Sequence, residues 1–231
     1  MVSYQTVPDE RLLRALAEQL KLPLIQIARQ AELGNSRGDS NKALAQTADM
    51  ALSLIDGFLL STNIYAQQRL ELEPVAISSV LYAASQDLKD HARQYNCDIE
   101  ISLAGKYAPV MGSFNALRLA FTALGAAFID AQPNEAGPKR ITFAAHSSNK
   151  GIVAGIFGSQ PGLSADMYKR AKALYGLSKQ PFASTFSNAS AGVFVADSLF
   201  SSVASPLKVS SHNKLSGLAT TLLPSKQLKL I

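Results

Sequence analysis

The stretch NALRLAFTALGAAFIDAQP, Asn115 to Pro133, decides the fold. Read as a helix over 113–130 it is apolar on most of its faces, so it belongs inside a protein and not on its surface. Something must cover each side of it. The segments around it say what that is.

Upstream, CDIEISLA (Cys97–Ala104) alternates apolar and polar residues, the pattern of a half-buried strand. APVMGS (Ala108–Ser113) reads as a short turn region. Residues 76–95 read as one helix with Val80, Leu81, Ala84 and Leu88 on one face. Downstream, RITFAAHSS (Arg140–Ser148) and GIVAGIFGS (Gly151–Ser159) are two strands joined through Asn149, Lys150 and Gly151, a hairpin signal. Residues 164–175 suit a short helix capped by Ser164 and ended at Gly176. QPFASTFSNASA (Gln180–Ala191) is loop-like. GVFVADSLFSSVA (Gly192–Ala204) is a weak helix diluted by serines and β-branched residues, and LKVSSH (Leu207–His212) and LATTLLPS (Leu218–Ser225) close the chain as strands around a turn. This is an α+β sandwich, with helices on one face of a mixed sheet.

The first part of the chain is different. Leu13, Leu16, Leu20, Leu24, Ile27 and Ala31 recur at spacings of three and four, a heptad seam over 9–33. LGNSRGDSN (Leu33–Asn41) breaks it. A second helix over 41–69 repeats the pattern at Leu44, Ala48, Ala51, Ile55, Phe58, Thr62 and Tyr65. Two long helices joined by a short loop make an antiparallel hairpin, and a second copy of the chain completes a four-helix bundle. Homodimerisation through residues 9–69 is therefore expected. One oddity stands inside the first helix: Pro23, in EQLKLPLIQI (Glu18–Ile27), removes a backbone donor from the helix interior.

That layout, with LKLPLIQI, resembles the catalytic core of bacterial sensor histidine kinases. The resemblance implies two units: a dimerisation and phosphotransfer-like helical hairpin over 1–70, and an ATP-binding domain of the gyrase, Hsp90, histidine kinase and MutL type over 71–231. RLELEPVAISSVL matches the family's passage between the two, the Asn115–Pro133 helix matches the one that carries its asparagine box, and LKVSSHNKLSGLATTLLP matches its closing strands. The family's phosphoacceptor stretch usually runs Ser-His-Glu-Leu-Arg-Thr-Pro-Leu. Here it runs from Ala17 to Leu24, with Glu18 at the histidine position and Leu22 at the threonine. A glutamate cannot form a phosphohistidine. The asparagine-box positions are Ala123 and Ala127, and a methyl group offers Mg²⁺ no oxygen. The adenine-binding aspartate position is Gly158, followed by Gly162, and of the glycines that approach the phosphates only Gly192 remains.

The resemblance implies no catalytic residue and no required cofactor, with ATP and Mg²⁺ binding left as an alternative. It implies a response-regulator receiver domain or a kinase as partner. The family's docking surface carries over to Leu22, Ile25, Gln26 and Arg29 on the first helix, and to Leu59, Asn63 and Ala66 on the second. Leu22 and Ile25 read equally as partner contact or core, and Leu59 as core.

Composition bounds the alternatives. Hydrophobic residues make up 47% and charged residues 17% of 231, enough for a packed core. Residues 1–137 carry a net charge of −4 and residues 138–231 one of +9. The basic half reads either as attraction to phosphate, nucleic acid or an acidic partner, or as a solvated surface that lacks acids. Lys169, Arg170, Lys172 and Lys179 fall in the segment matching the family's ATP lid, where a solvated face is the preferred reading. Phe143, Phe157, Tyr168, Tyr175, Phe182, Phe186, Phe194 and Phe200 could stack bases. Most of them sit at core-type positions, so nucleic-acid binding is the weaker reading. One cysteine, Cys97, and three histidines far apart in sequence argue against a zinc site. No signal peptide opens the chain, and no apolar run reaches the roughly 18–20 residues of a membrane span. A cytoplasmic protein without membrane contact is expected.

Overall fold

The structure, a computed structural model, describes residues 38–65, 72–103, 105–132, 139–159, 163–174 and 190–225, together with Leu20, Ile25 and Ile27. In chain order its elements are α1 (Gly38–Tyr65), β1 (Glu73–Val75), α2 (Ile77–Asp87), α3 (Lys89–Gln94), β2 (Cys97–Leu103), β3 (Val110–Gly112) and α4 (Phe114–Asp130). Then follow β4 (Lys139–Ser148), β5 (Gly151–Gly158), α5 (Ala165–Leu174), α6 (Ser190–Val203), β6 (Lys208–His212) and β7 (Leu215–Leu222).

Ser113 starts the central helix: its hydroxyl accepts from the Ala116 N–H at 3.4 Å. α4 is buried nearly all round, as its composition requires, and Leu117, Phe121, Leu124 and Phe128 have no exposed surface. It lies between the helical layer and a five-stranded sheet of order β2-β4-β5-β7-β6. β2 runs parallel to β4, and the remaining pairs are antiparallel. The mixed sheet with helices on one face agrees with the sequence reading. Ile141, Phe143, Ile156 and Leu218 point from the strands into the helical core, one residue in two. Asn213 (φ 47°) and Lys214 (φ 67°) form the two-residue turn between β6 and β7, where both positions need positive φ.

Two readings need correction. Residues 76–95 are two helices, α2 and α3, separated at Leu88 (φ −92°, ψ −6°). The break lets the chain turn around the end of α4: Leu88 and Ala92 stay buried, and His91 meets Asp130 at 2.8 Å. APVMGS is not only a turn. Val110–Gly112 pairs antiparallel with Glu73–Val75. Met111 N–H also donates to the Leu223 carbonyl at 3.1 Å, which ties both short strands to the end of β7.

α1 packs on α6 along one side. Its buried stripe is Ala51, Leu54, Gly57 and Phe58, with Ile55 only half-buried. Leu54 and Phe58 belong to the main hydrophobic cluster together with Val195 and Leu199 of α6. An added Cβ on Gly57 would stand 3.0 Å from Val195 Cγ1, so the helices approach closely there. Leu52 and Leu59, seven residues apart, are on the outer side and exposed. Of the first heptad segment, Leu20, Ile25 and Ile27 are helical. Leu20 packs against the main cluster, and Ile25 is exposed. The rest of the 9–33 heptad seam lies outside the described residues.

α6 forms in full despite its weak propensity. Ala191, Val193, Val195, Ala196, Leu199 and Phe200 are buried, and packing outweighs the β-branched residues. Ser201 and Ser202 donate back to the carbonyls of Asp197 (2.7 Å) and Leu199 (2.6 Å), which satisfies their hydroxyls within the helix.

Candidate functional site

Ala123 and Ala127 stand one turn apart on α4, both buried, and face the first turn of α6. Gly192 meets them. A Cβ on Gly192 would lie 2.8 Å from the Ala123 carbonyl oxygen and 3.3 Å from Ala127 Cβ. The two helices are thus in backbone-to-backbone contact at this point, which only small residues permit. Further along, Phe121 and Phe200 pack edge to face with centroids 4.8 Å apart. Gly158 ends β5 and is buried. Gly162 lies outside the described residues.

The basic segment after β5 is tied down in part. Ser164 caps α5, accepting from the Met167 N–H at 3.2 Å. Lys169 and Arg170 are exposed. Lys172 pairs with Asp197 of α6 at 2.6 Å. Asp197 also accepts from the Leu207 N–H at 2.8 Å, which joins α5, α6 and the start of β6 through one carboxylate. Burial, with Asp197 beside it, holds the Tyr168 hydroxyl well above the ordinary tyrosine range. Lys179 lies outside the described residues. Phe143, Phe157, Tyr168, Phe194 and Phe200 are buried and present no faces to a base, while Tyr175, Phe182 and Phe186 lie outside the described residues.

Of the docking positions, Ile25 is exposed and Asn63 lies in α1. Leu22, Gln26, Arg29 and Ala66 fall outside the described residues, as does Glu18. At the far end of α4, Arg118 holds Asp87 with two hydrogen bonds of 2.7 and 2.6 Å, and Thr122 donates to the same carboxylate at 3.2 Å. Burial pushes the Cys97 thiol up to about 11, so it is a poor nucleophile at neutral pH.

The face of the sheet that carries no helix among the described residues holds a cluster that sequence spacing did not suggest. His146 of β4 and His212 of β6 stack with centroids 6.1 Å apart, and Phe157 of β5 is 5.4 Å from His212. His212 Nε2 is 3.0 Å from Ser102 Oγ and 3.2 Å from Asn213 Nδ2. Side chains of β2 and β6 thus meet across the sheet face at Ser102 and His212. Strand alternation was the available signal, since it puts His146 on the face opposite Phe143, but the contact with His212 comes from tertiary structure.

Desolvation and then the neighbouring His146 lower the His212 pKa, with Glu100 acting in the opposite sense. The unfolded chain therefore binds this proton more readily than the folded one. Stability is full above about pH 6.5, the ordinary histidine value, and falls as pH drops below it. His212→Gln is expected to flatten that acid limb of a melting-temperature profile between pH 7.5 and 5.5 (chosen as about one unit either side of the ordinary value). An unchanged limb would reject the assignment.

No protein-family model matches the sequence, and no curated protein matches it. Solved structures do match the fold. The histidine kinase AdeS of Acinetobacter baumannii superposes with a TM-score of 0.56 at 15% identity, over 88% of this chain and 96% of that one. The catalytic domain of the histidine kinase ThkA, in a nucleotide-free form, gives 0.51 at 9% identity over 67% of this chain and 96% of its own. Full-length ShkA in complex with AMPPNP gives 0.54 at 16% identity, over 95% of this chain and 47% of that one. The fold is that of histidine-kinase catalytic domains.

Proposed function

We propose that the chain is a catalytically silent, histidine-kinase-like protein that acts in two-component signalling by binding. In this reading residues 1–70 form a helical hairpin that dimerises into a four-helix bundle, and residues 71–231 are a degenerate ATP-binding domain. The partner is a response-regulator receiver domain or a kinase, docked on Leu22, Ile25, Gln26, Arg29 and Asn63. Glu18 at the phosphoacceptor position removes the nucleophile.

One observation carries the reading: Gly192 rests against the Ala123 carbonyl and the Ala127 methyl. Those are the positions where the family would place phosphates, a metal and its asparagine ligands. The side chains present do not fit Mg²⁺-nucleotide, because they supply no oxygen donor and the two helices already touch. Phosphoryl transfer depends on positioning and charge stabilisation, and the groups for both are missing.

Thermal unfolding with Mg²⁺-ATP tests this. A ligand present at about 100 times its Kd stabilises by about 2.7 kcal/mol, or roughly 5–10 °C in a chain of this size. The expected shift at millimolar Mg²⁺-ATP is under about 1 °C. A rise of several degrees would return the chain to the alternative, a divergent kinase or phosphotransfer protein that still binds ATP. The exposed Lys169 and Arg170 on α5 are the residues to examine in that case.

A further inference from the structure

We propose that the β2 edge of the sheet is a docking groove for an extended segment of a partner polypeptide, which adds to the sheet as a further strand. The two edges of the sheet differ. β6 has five residues and begins with Lys208, a charge that discourages edge pairing. β2 has seven residues. It pairs with β4 in parallel register from Cys97↔Lys139 to Leu103↔Ala145. Among the described residues no strand pairs with its other side. Such an edge offers a row of main-chain donors and acceptors to another chain.

A cavity of about 270 Å³ runs beside this edge, between β2 and the wall formed by the end of α2 and by α3. Ile99, Ile101 and Ala92 contribute its apolar lining. Ile99 and Ile101 point toward the core but remain half-exposed, so apolar surface is open at the groove. Lys89 and Arg93 stand on the helix wall. Arg93 reaches the exposed Asp90 at 3.3 Å, an exposed pair of small value that a new carboxylate can replace.

These features select the occupant. A helix has no free main-chain groups for the strand edge, and a small molecule would leave most of it unmatched. Two antiparallel β2 edges from two copies would bring their Asp98 and Glu100 side chains together, and like charges across strands repel. An extended peptide fits. On its groove side it carries branched apolar residues at alternate positions and a carboxylate for Lys89 and Arg93. On its other side it carries polar or basic residues toward Asp98. Main-chain pairing supplies affinity, and the alternate side chains supply specificity.

The test uses the full chain and a fluorescein-labelled octapeptide, Lys-Val-Thr-Ile-Lys-Val-Thr-Glu, blocked at both ends. Saturable anisotropy is expected with a Kd between about 10 and 500 μM, with amide exchange slowed within 97–103. Methylating the peptide's edge-facing main-chain nitrogens should abolish binding. Lys89→Glu, at an exposed position, should weaken binding about tenfold, and a peptide ending in Lys should regain it. Circular dichroism checks that the variant is folded. The proposal is overturned by no binding at about 1 mM, by equal binding of the methylated peptide, by protection elsewhere such as on α1, or by indifference to the charge swap. Self-association that the peptide competes away would make a second copy the occupant, which also overturns it.

Discussion

Phe121→Ala is expected to cost about 3–5 kcal/mol of folding stability, the range for emptying a fully buried aromatic site. The Phe121 side chain has no exposed surface and packs edge to face on Phe200, itself fully buried. The surroundings have little room to collapse, because α4 and α6 already touch through Gly192 and Ala123. Domains are stable by only about 5–15 kcal/mol, so the loss is a large part of the total. Chemical denaturation should show a lower midpoint with an unchanged slope. A loss below about 1 kcal/mol would mean that α4 and α6 are not packed as described. Phe121→Leu keeps much of the volume and should cost roughly half as much.

Asp197→Ala should follow at about 2–4 kcal/mol. The carboxylate is nearly buried and takes a hydrogen bond from the Leu207 N–H as well as the ammonium of Lys172. Its removal leaves a buried N–H without an acceptor and a cation without its partner. Lys172→Ala should cost much less, because that side chain is 38% exposed and its charge is screened in solvent. Asp197→Asn should fall between, since an amide oxygen can still accept from Leu207. Equilibrium denaturation of the three variants orders them. An equal cost for Lys172→Ala and Asp197→Ala would show that the ion pair, and not the hydrogen bond to Leu207, is what matters at this site.

Much of the architecture was readable because its signals are local. The apolar run over 113–130 read as a buried helix, the alternation at Cys97–Ala104 as a half-buried strand, and Arg140–Ser148 and Gly151–Ser159 as a strand pair around a hairpin signal, and all four form. Elements made by distant partners were not readable. β1 and β3 are three residues each and exist because they pair with one another and with the end of β7. The break at Leu88 carries no proline or glycine and follows from wrapping around α4. Among the candidate site positions, Ala123, Ala127 and Gly192 could be aligned from motif spacing, but their mutual contact could not. His146 and His212, 66 positions apart by their numbers, gave no sign of stacking.

α1 shows where the division falls. Its heptad spacing announced an apolar stripe, because a helix with that periodicity must bury one side. It did not say against what. The spacing put Ala51, Ile55 and Phe58 on one stripe; Ala51 and Phe58 are buried, Ile55 is half-buried, and Phe58 clusters with Leu54 and with Val195 and Leu199 of α6. The sequence by itself determined the longer helices and strands, which faces are apolar, and which residue types stand at the positions aligned with the motifs, because these depend on side-chain type and period alone. Tertiary structure decided which apolar faces meet, that α4 and α6 touch at Ala123 and Gly192, and that among the described residues no strand pairs with the outer side of β2 beside the cavity. Those outcomes depend on close approach between residues far apart in the chain, which no local pattern encodes.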